Sequence, residues 1–204
     1  MTETPYRREP GYAERYRDRR FQSGSGADTD RRERAALRRL LAQASFGPGP
    51  WLDAPSGAAR MSAELPGPAV LVDRDPAMVR AAPGDWHRAC ASCHALPFAD
   101  DTFAGALCHR LLQHIPTAVE RGDILRELAR TTRGPIVVSF FDACSLQHLR
   151  RVVRRTFGKN RSGRSAVARR RFFGELHDAG LAVLAVAPLR RFLAEQTLVL
   201  CRRR

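Results

Sequence analysis

The 204-residue chain has no uninterrupted apolar run near the roughly 18 residues that a membrane span requires. Charges are scattered through "MTETPYRREPGYAERYRDRRFQSG", so the start of the chain lacks the apolar centre of a secretory leader. These two absences predict a soluble, cytoplasmic protein with no transmembrane segment. Cysteine is scarce and odd in number, five in all, which argues for reduced thiols and against a disulfide framework. Lysine is nearly missing: among the 35 basic residues only Lys159 is lysine. Such an arginine bias fits a GC-rich genome as well as it fits a function. No internal repeat is present.

What the chain does have is positive charge and enough apolar residues for one core. Its formal net charge is +14, which predicts attraction to an anionic partner: a phosphorylated metabolite, an acidic membrane surface or nucleic acid. The first 32 residues are polar, with Gly and Ser at "QSGSGADTD", and are predicted to form a partly mobile lid or tail. Residues 33–204 are predicted to form a single domain. Within it "ERAALRRLLAQA" sets Ala36, Leu37, Leu40, Leu41 and Ala44 on one helical face.

Seven short apolar runs follow: "WLDA", "AVLVD", "HRACA", "FAGALCH", "PIVVSFF", "LAVLAVAP" and "TLVLCRR". Helical composition separates several of them, in "DPAMVRAA", "PTAVERGDILRELARTT" and "AVARRRFFGELHDAG". This alternation predicts an α/β fold, a Rossmann-like three-layer sandwich around a mainly parallel seven-stranded sheet. Only "LRRFLAEQ" joins the last two runs. It is too short for a helical crossover, so they should close the sheet as an antiparallel hairpin.

Ligands of such sheets bind beyond the carboxyl ends of the strands. Asp53 ends the first strand and the chain turns through Pro55, Ser56 and Gly57, a residue that lets backbone approach a ligand closely. Asp73 ends "AVLVD" 20 residues later, the separation at which a second carboxylate meets ribose hydroxyls. Capping and turn roles for the two aspartates are the plain alternative.

The blocks "WLDAPSGAAR", "VLVDRDPAMV", "ALPFADDTFAGALCHRLLQHI", "ERGDILRELART" and "GPIVVSFFDA" come in an order that resembles the class I S-adenosylmethionine-dependent methyltransferases of the small-molecule type. "GYAERYRDRRF" resembles the tyrosine-bearing lid before that domain. The resemblance implies S-adenosyl-L-methionine as cofactor. It places Asp53, Ala54 and Gly57 around the methionine part, Asp73 on the ribose, Arg74 beside the adenine and Tyr16 in the lid. Ser92 stands where relatives carry an acid for the adenine amino group, Cys93 offers a backbone amide to the ring, and Cys108 and His109 line the pocket.

Three departures from the pattern stand out. Ala58 and Ala59 replace glycine or small polar residues in the loop, Ser92 replaces an acid, and Ala104 replaces the acid of the third block, in "FAGALC". They leave a non-catalytic, methyltransferase-shaped binding protein as the alternative. Cys90, Cys93 and His94 spell a C-x-x-C-H motif, but covalent haem needs export, and the adenine-side loop accounts for the motif better. The Cys and His residues from 90 to 114 match no zinc ribbon, and Cys90 on a strand is expected to turn into the core.

Methyl transfer needs a base only when the acceptor sheds a proton, and His109 and His114 are the candidates. Beyond them, residues 143–174 contain no acid and ten basic residues: Arg150, Arg151, Arg154, Arg155, Lys159, Arg161, Arg164, Arg169, Arg170 and Arg171. This insert, about 145–171, is expected to hold a helix with Leu146, Leu149, Val152 and Val153 inward. It would wall the acceptor site and attract a small or lipid-linked anionic acceptor or an anionic membrane surface. RNA is the less favoured partner, because only Phe157, Phe172 and Phe173 are available for stacking. A plainly solvated arginine face is the alternative.

Overall fold

The computed structural model describes residue 9, residues 11–156 and residues 163–204. Phe157, Lys159 and Arg161 lie outside the described residues, as do the side chains of Arg154 and Arg155. All seven apolar runs form strands: β1 (Trp51–Asp53), β2 (Ala69–Asp73), β3 (His87–Cys90), β4 (Gly105–Cys108), β5 (Ile136–Phe141), β6 (Leu181–Pro188) and β7 (Gln196–Arg203). They make one sheet in the order β3-β2-β1-β4-β5-β7-β6. The first five are parallel, and β7 runs antiparallel to both β5 and β6.

Alternate residues along the central strands feed two cores, as expected of a sheet covered on both faces. Leu52, Val72, Ala106, Val138 and Phe140 pack with Ile124, Leu125 and Leu128 of α4 (Ala118–Thr131) and with Phe172 and Leu176 of α6 (Arg169–Asp178). Trp51, Leu71, Leu107, Val137 and Leu200 pack with Leu37, Leu40 and Leu41 of α2 (Gly24–Leu41). Gly105 is fixed by this second core: a Cβ there would sit 2.4 Å from the Trp51 ring.

Two local expectations are corrected. The first long helix starts at Gly24, nine residues before Glu33, and α1 (Tyr12–Arg19) precedes it. Ion pairs one turn apart, Arg32 with Asp28 at 2.8 Å and Arg34 with Asp30 at 2.7 Å, support this polar start. In α5 (Leu146–Thr156) the apolar residues do not face inward: Leu146, Leu149, Val152 and Val153 are 38, 58, 44 and 47% exposed. Among the described residues no helix is long and apolar enough to cross a membrane.

Candidate active site

The strand order reverses between β1 and β4, and a cleft of about 530 Å³ opens at the carboxyl ends of the strands there. Its floor is the turn after β1. Ser56 N donates to Val72 O at 2.8 Å, and Gly57 N donates to Asp73 Oδ2 at 2.9 Å, so the turn is tied to the end of β2. Gly57 has φ +53, and nothing lies within 4 Å of where its Cβ would be. The glycine is there for its backbone conformation and for the open space above it. The second oxygen of Asp73 accepts from Asp75 N at 2.9 Å. Each oxygen thus accepts a single protein N–H, which leaves the carboxylate with further acceptor capacity. Asp75 caps α3 (Pro76–Ala81) by accepting from Ala77 N at 2.9 Å.

Asp53 lies beneath the turn, 2% exposed, and accepts from Ser62 Oγ at 2.5 Å. Burial pushes its carboxyl up to about 7, against the Ser62 hydroxyl and Arg60, while the Asp73 charge adds to the rise. A carboxyl raised in the fold keeps its proton where the unfolded chain has lost it. Its contribution to stability therefore declines as pH rises from about 4 to about 7. Asp53→Asn is expected to become more stable relative to the wild type by about 2 kcal/mol between pH 5 and pH 8. Urea unfolding at the two pH values checks this, and a constant difference contradicts a raised Asp53.

On the β4 side Arg110 follows His109 with φ +59, a conformation that non-glycine residues rarely adopt and that collects at functional sites. Its N–H donates to Ser139 Oγ at 2.8 Å, and its Nε donates to Glu33 Oε1 at 2.7 Å. Glu33 comes from α2, is fully buried, and also accepts from Arg60 at 2.6 Å. His109 Nε2 lies 3.3 Å from the same carboxylate. Burial alone would raise Glu33, but His109 and the Arg110 and Arg60 guanidiniums outweigh it and hold the group well below its usual value. Burial depresses the His109 imidazole despite Glu33, so the ring is neutral near pH 7 and the two arginines supply the countercharge. Neither ring nitrogen of His109 has an aligned hydrogen-bond partner among the described residues.

Tyr16, Asp53, Gly57, Asp73, Arg74, Ser92, Cys93, His109 and His114 all line the cleft, so the structure gathers nine of the eleven site residues read from the sequence. The other two are corrected. Ala54 and Cys108 are fully buried in the core beneath α4, because each neighbours a lining residue on a strand end and points the opposite way. Ala104 is likewise in the core, on the α2 side, so its departure from the family pattern does not touch the cleft. Ala59 has φ +60, so the loop does hold a methyl-bearing residue in the left-handed region.

Cys90 is also corrected: it is exposed, because β3 is the outermost strand and lacks a covering layer there. Burial pushes the Cys93 thiol up to about 12 and raises Cys108 well above its usual value, so neither is a thiolate at neutral pH. Among the described residues no three His, Cys, Asp or Glu side chains are grouped to hold a metal ion.

Sequence reading missed Glu33, Arg20, Arg110, Gln113 and Phe141, whereas Arg164 belongs to the basic insert expected to wall the acceptor site and does line the cleft. Of the missed residues all but Glu33 line the cleft, and with Arg164 they cluster at its β4–β5 end. Arg164 is carried on a short segment fixed by Ser165 N donating to Gln113 O at 2.7 Å and Val167 N donating to Phe141 O at 2.8 Å. Arg20 and Arg164 make no ion pair among the described residues. Burial lowers the Arg164 guanidinium, and the neighbouring Arg20, Arg110 and Arg151 lower it further. Gln113 is 3% exposed and its Oε1 has no partner among the described residues.

Residues 52–134 match the family model described as a methyltransferase domain. No curated protein sequence matches the chain. Among solved structures the chain is similar to a magnesium protoporphyrin IX methyltransferase from Synechocystis PCC 6803 with bound SAH, at 16% identity and a TM-score of 0.70, over 94% of each chain. It is also similar to a SAM-dependent methyltransferase from Methanosarcina mazei, at 16% identity and a TM-score of 0.67, over 81% of this chain and 96% of that one. A third is a SAM-dependent methyltransferase from Thermotoga maritima, described as a possible histamine N-methyltransferase, at 13% identity and a TM-score of 0.63, over 86% and 91%.

Proposed function

We propose that the chain is a class I S-adenosylmethionine-dependent methyltransferase with S-adenosyl-L-methionine as its cofactor, and that its acceptor is a small or lipid-linked molecule carrying a carboxylate or phosphate. The observation that supports this reading is the convergence of Arg20, Arg110 and Arg164 on one end of the cleft, with Arg20 and Arg164 making no ion pair among the described residues. Guanidiniums held together by the fold repel one another, and a bound anion relieves that repulsion through charge-assisted hydrogen bonds. The acids near that end are already engaged, Glu33 with Arg110 and Arg60, Glu195 with Arg151 and Glu120 with Thr117, while Asp53, Asp73 and Asp75 lie around the loops after β1 and β2.

The cleft fits the cofactor, since Gly57 leaves open space and Asp73 retains acceptor capacity. Asp73 would hold the ribose hydroxyls, Arg74, Ser92 and Cys93 would flank the adenine, and Tyr16 would close over it from α1. Asp53 and Gly57 would face the methionine part. When bound, the cofactor supplies an activated methyl group, so the protein's task is to align the acceptor and exclude water.

His109 is the base of this reading. Its Nε2 faces Glu33, which favours the tautomer with hydrogen on Nε2 and leaves the Nδ1 lone pair to take a proton from an acceptor O–H or N–H. The orphaned Oε1 of Gln113 is suited to orient that same donor. His114 is exposed at the rim, a position that suits positioning the acceptor better than taking its proton.

Arg164→Ser is expected to raise KM for anionic acceptors about tenfold to a hundredfold, the loss of one charge-assisted contact, and to leave cofactor affinity unchanged. The measurement is methyl transfer from labelled cofactor to paired anionic and neutral hydroxy and amino compounds. If neutral compounds are methylated as well as their anionic partners, or if the variant leaves the anionic KM unchanged, the reading fails.

A further inference from the structure

Helix α5 leaves the end of β5 and borders the open edge of the cleft: its Arg151 guanidinium carbon is 5.8 Å from the centre of the Phe141 ring that lines it. The helix turns an apolar face to solvent. Leu146, Leu149 and Val153, three and four residues apart, are 38, 58 and 47% exposed. Beside the first turn lies the loop before β7, where Leu146 N donates to Phe192 O at 2.8 Å and Gln147 N donates to Leu193 O at 3.1 Å. Phe192 and Leu193 are 67 and 51% exposed. These hydrogen bonds join helix and loop into one apolar ledge.

Arginines rim this ledge. Arg150 is exposed on α5, and the Arg191 guanidinium carbon is 5.2 Å from the centre of the Phe192 ring. Arg39 and Arg169 reach a shallow groove that Phe192 shares with Val186 and Pro188. The nearby acids are already engaged: Glu195 with Arg151, Asp142 with Arg169 and Asp28 with Arg190.

We propose that this ledge docks the protein onto a bilayer containing anionic phospholipid. Phe192, Leu193 and Leu149 enter the boundary between headgroups and acyl chains, while Arg150 and Arg191 meet the lipid phosphates. An apolar stripe bordered by guanidiniums is the pattern of an interfacial helix, and the absence of acids from residue 143 to residue 174 leaves nothing to repel the surface. A second copy of the chain fits less well, because it would bring arginine rims together without carboxylates between them. RNA would find one exposed aromatic ring, Phe192, on a ledge that is otherwise aliphatic. Docked this way, the arginine end of the cleft faces the headgroups. The proposal stands on the ledge alone and does not depend on the acceptor reading.

The test is cosedimentation of the full chain with vesicles of phosphatidylcholine alone and with roughly one third phosphatidylglycerol. The chain is expected to partition onto the anionic vesicles at least about tenfold more strongly. Leu149→Ser combined with Phe192→Ser should cut that partition by about tenfold or more, even in salt that screens the arginines. Arg150→Ser combined with Arg191→Ser should abolish the preference for the anionic lipid. Cofactor affinity, read by calorimetry, should be unchanged in both. A Phe192→Trp variant should show a blue shift of emission on anionic vesicles beyond that of the wild type. Equal partition on neutral vesicles, full retention by the apolar variant, absence of the added blue shift, or a wild-type dimer that the apolar variant dissociates would each overturn the proposal.

Discussion

Replacing Glu33 with glutamine is expected to lower the stability of the fold by about 3 kcal/mol, near the lower end of what breaking a buried ion pair costs. The carboxylate is fully buried and shared by Arg60 at 2.6 Å and Arg110 at 2.7 Å. Glutamine keeps the shape and one acceptor, but it leaves two guanidiniums facing a neutral amide beside His109. Arg60 and Arg110 keep side-chain exposures of 16 and 21%, so water recovers part of the loss. The pH dependence has a definite sign. Glu33 is depressed in the fold, so its contribution is present above the ordinary carboxylate value and disappears as pH falls toward the depressed one. Urea unfolding of variant and wild type should therefore give a difference that is constant from pH 6 to pH 8 and shrinks below about pH 4. An equal difference at pH 3 and pH 7 would show that charge is not what Glu33 contributes.

Glu33 also shows where sequence reading stops. Its strands and central cleft were legible because apolar runs, the aspartates that end two of them and a glycine turn are local signals. Glu33 sends no such signal: it sits among polar residues of an amphipathic helix, and its partners come from 27 and 77 residues away. The arginine end of the cleft was legible only in part: Arg164 belongs to the basic insert expected at the acceptor site, whereas Arg20 after α1 and Arg110 after β4 join it only in the fold. Ala54 and Cys108 were misplaced although strand alternation carried the answer: if Asp53 and His109 face the cleft, their neighbours face the core. With α5, periodicity identified the residues that share a face but not whether another layer covers that face.

Asp73→Ala is expected to weaken cofactor binding by about 1 to 3 kcal/mol, a roughly tenfold to hundredfold rise in Kd, as loss of a charge-assisted hydrogen bond would. The substitution acts in two ways. It removes the acceptor that faces the cleft, and it strips Gly57 N and Asp75 N of their 2.9 Å partner, loosening the turn after β1 and the cap of α3 together. Calorimetric titration with S-adenosylmethionine and with its demethylated product separates a ribose role from an electrostatic one. The two ligands share the ribose and differ in charge at sulfur, so a carboxylate on the ribose hydroxyls must lose affinity for both by the same factor. Asp53→Asn should act differently, weakening the cationic sulfonium more than the neutral thioether above about pH 7, where Asp53 is ionised. Unchanged affinity of the Asp73 variant for the thioether, or a loss confined to the sulfonium, would move the ribose away from β2 and with it the whole orientation of ligand in the cleft.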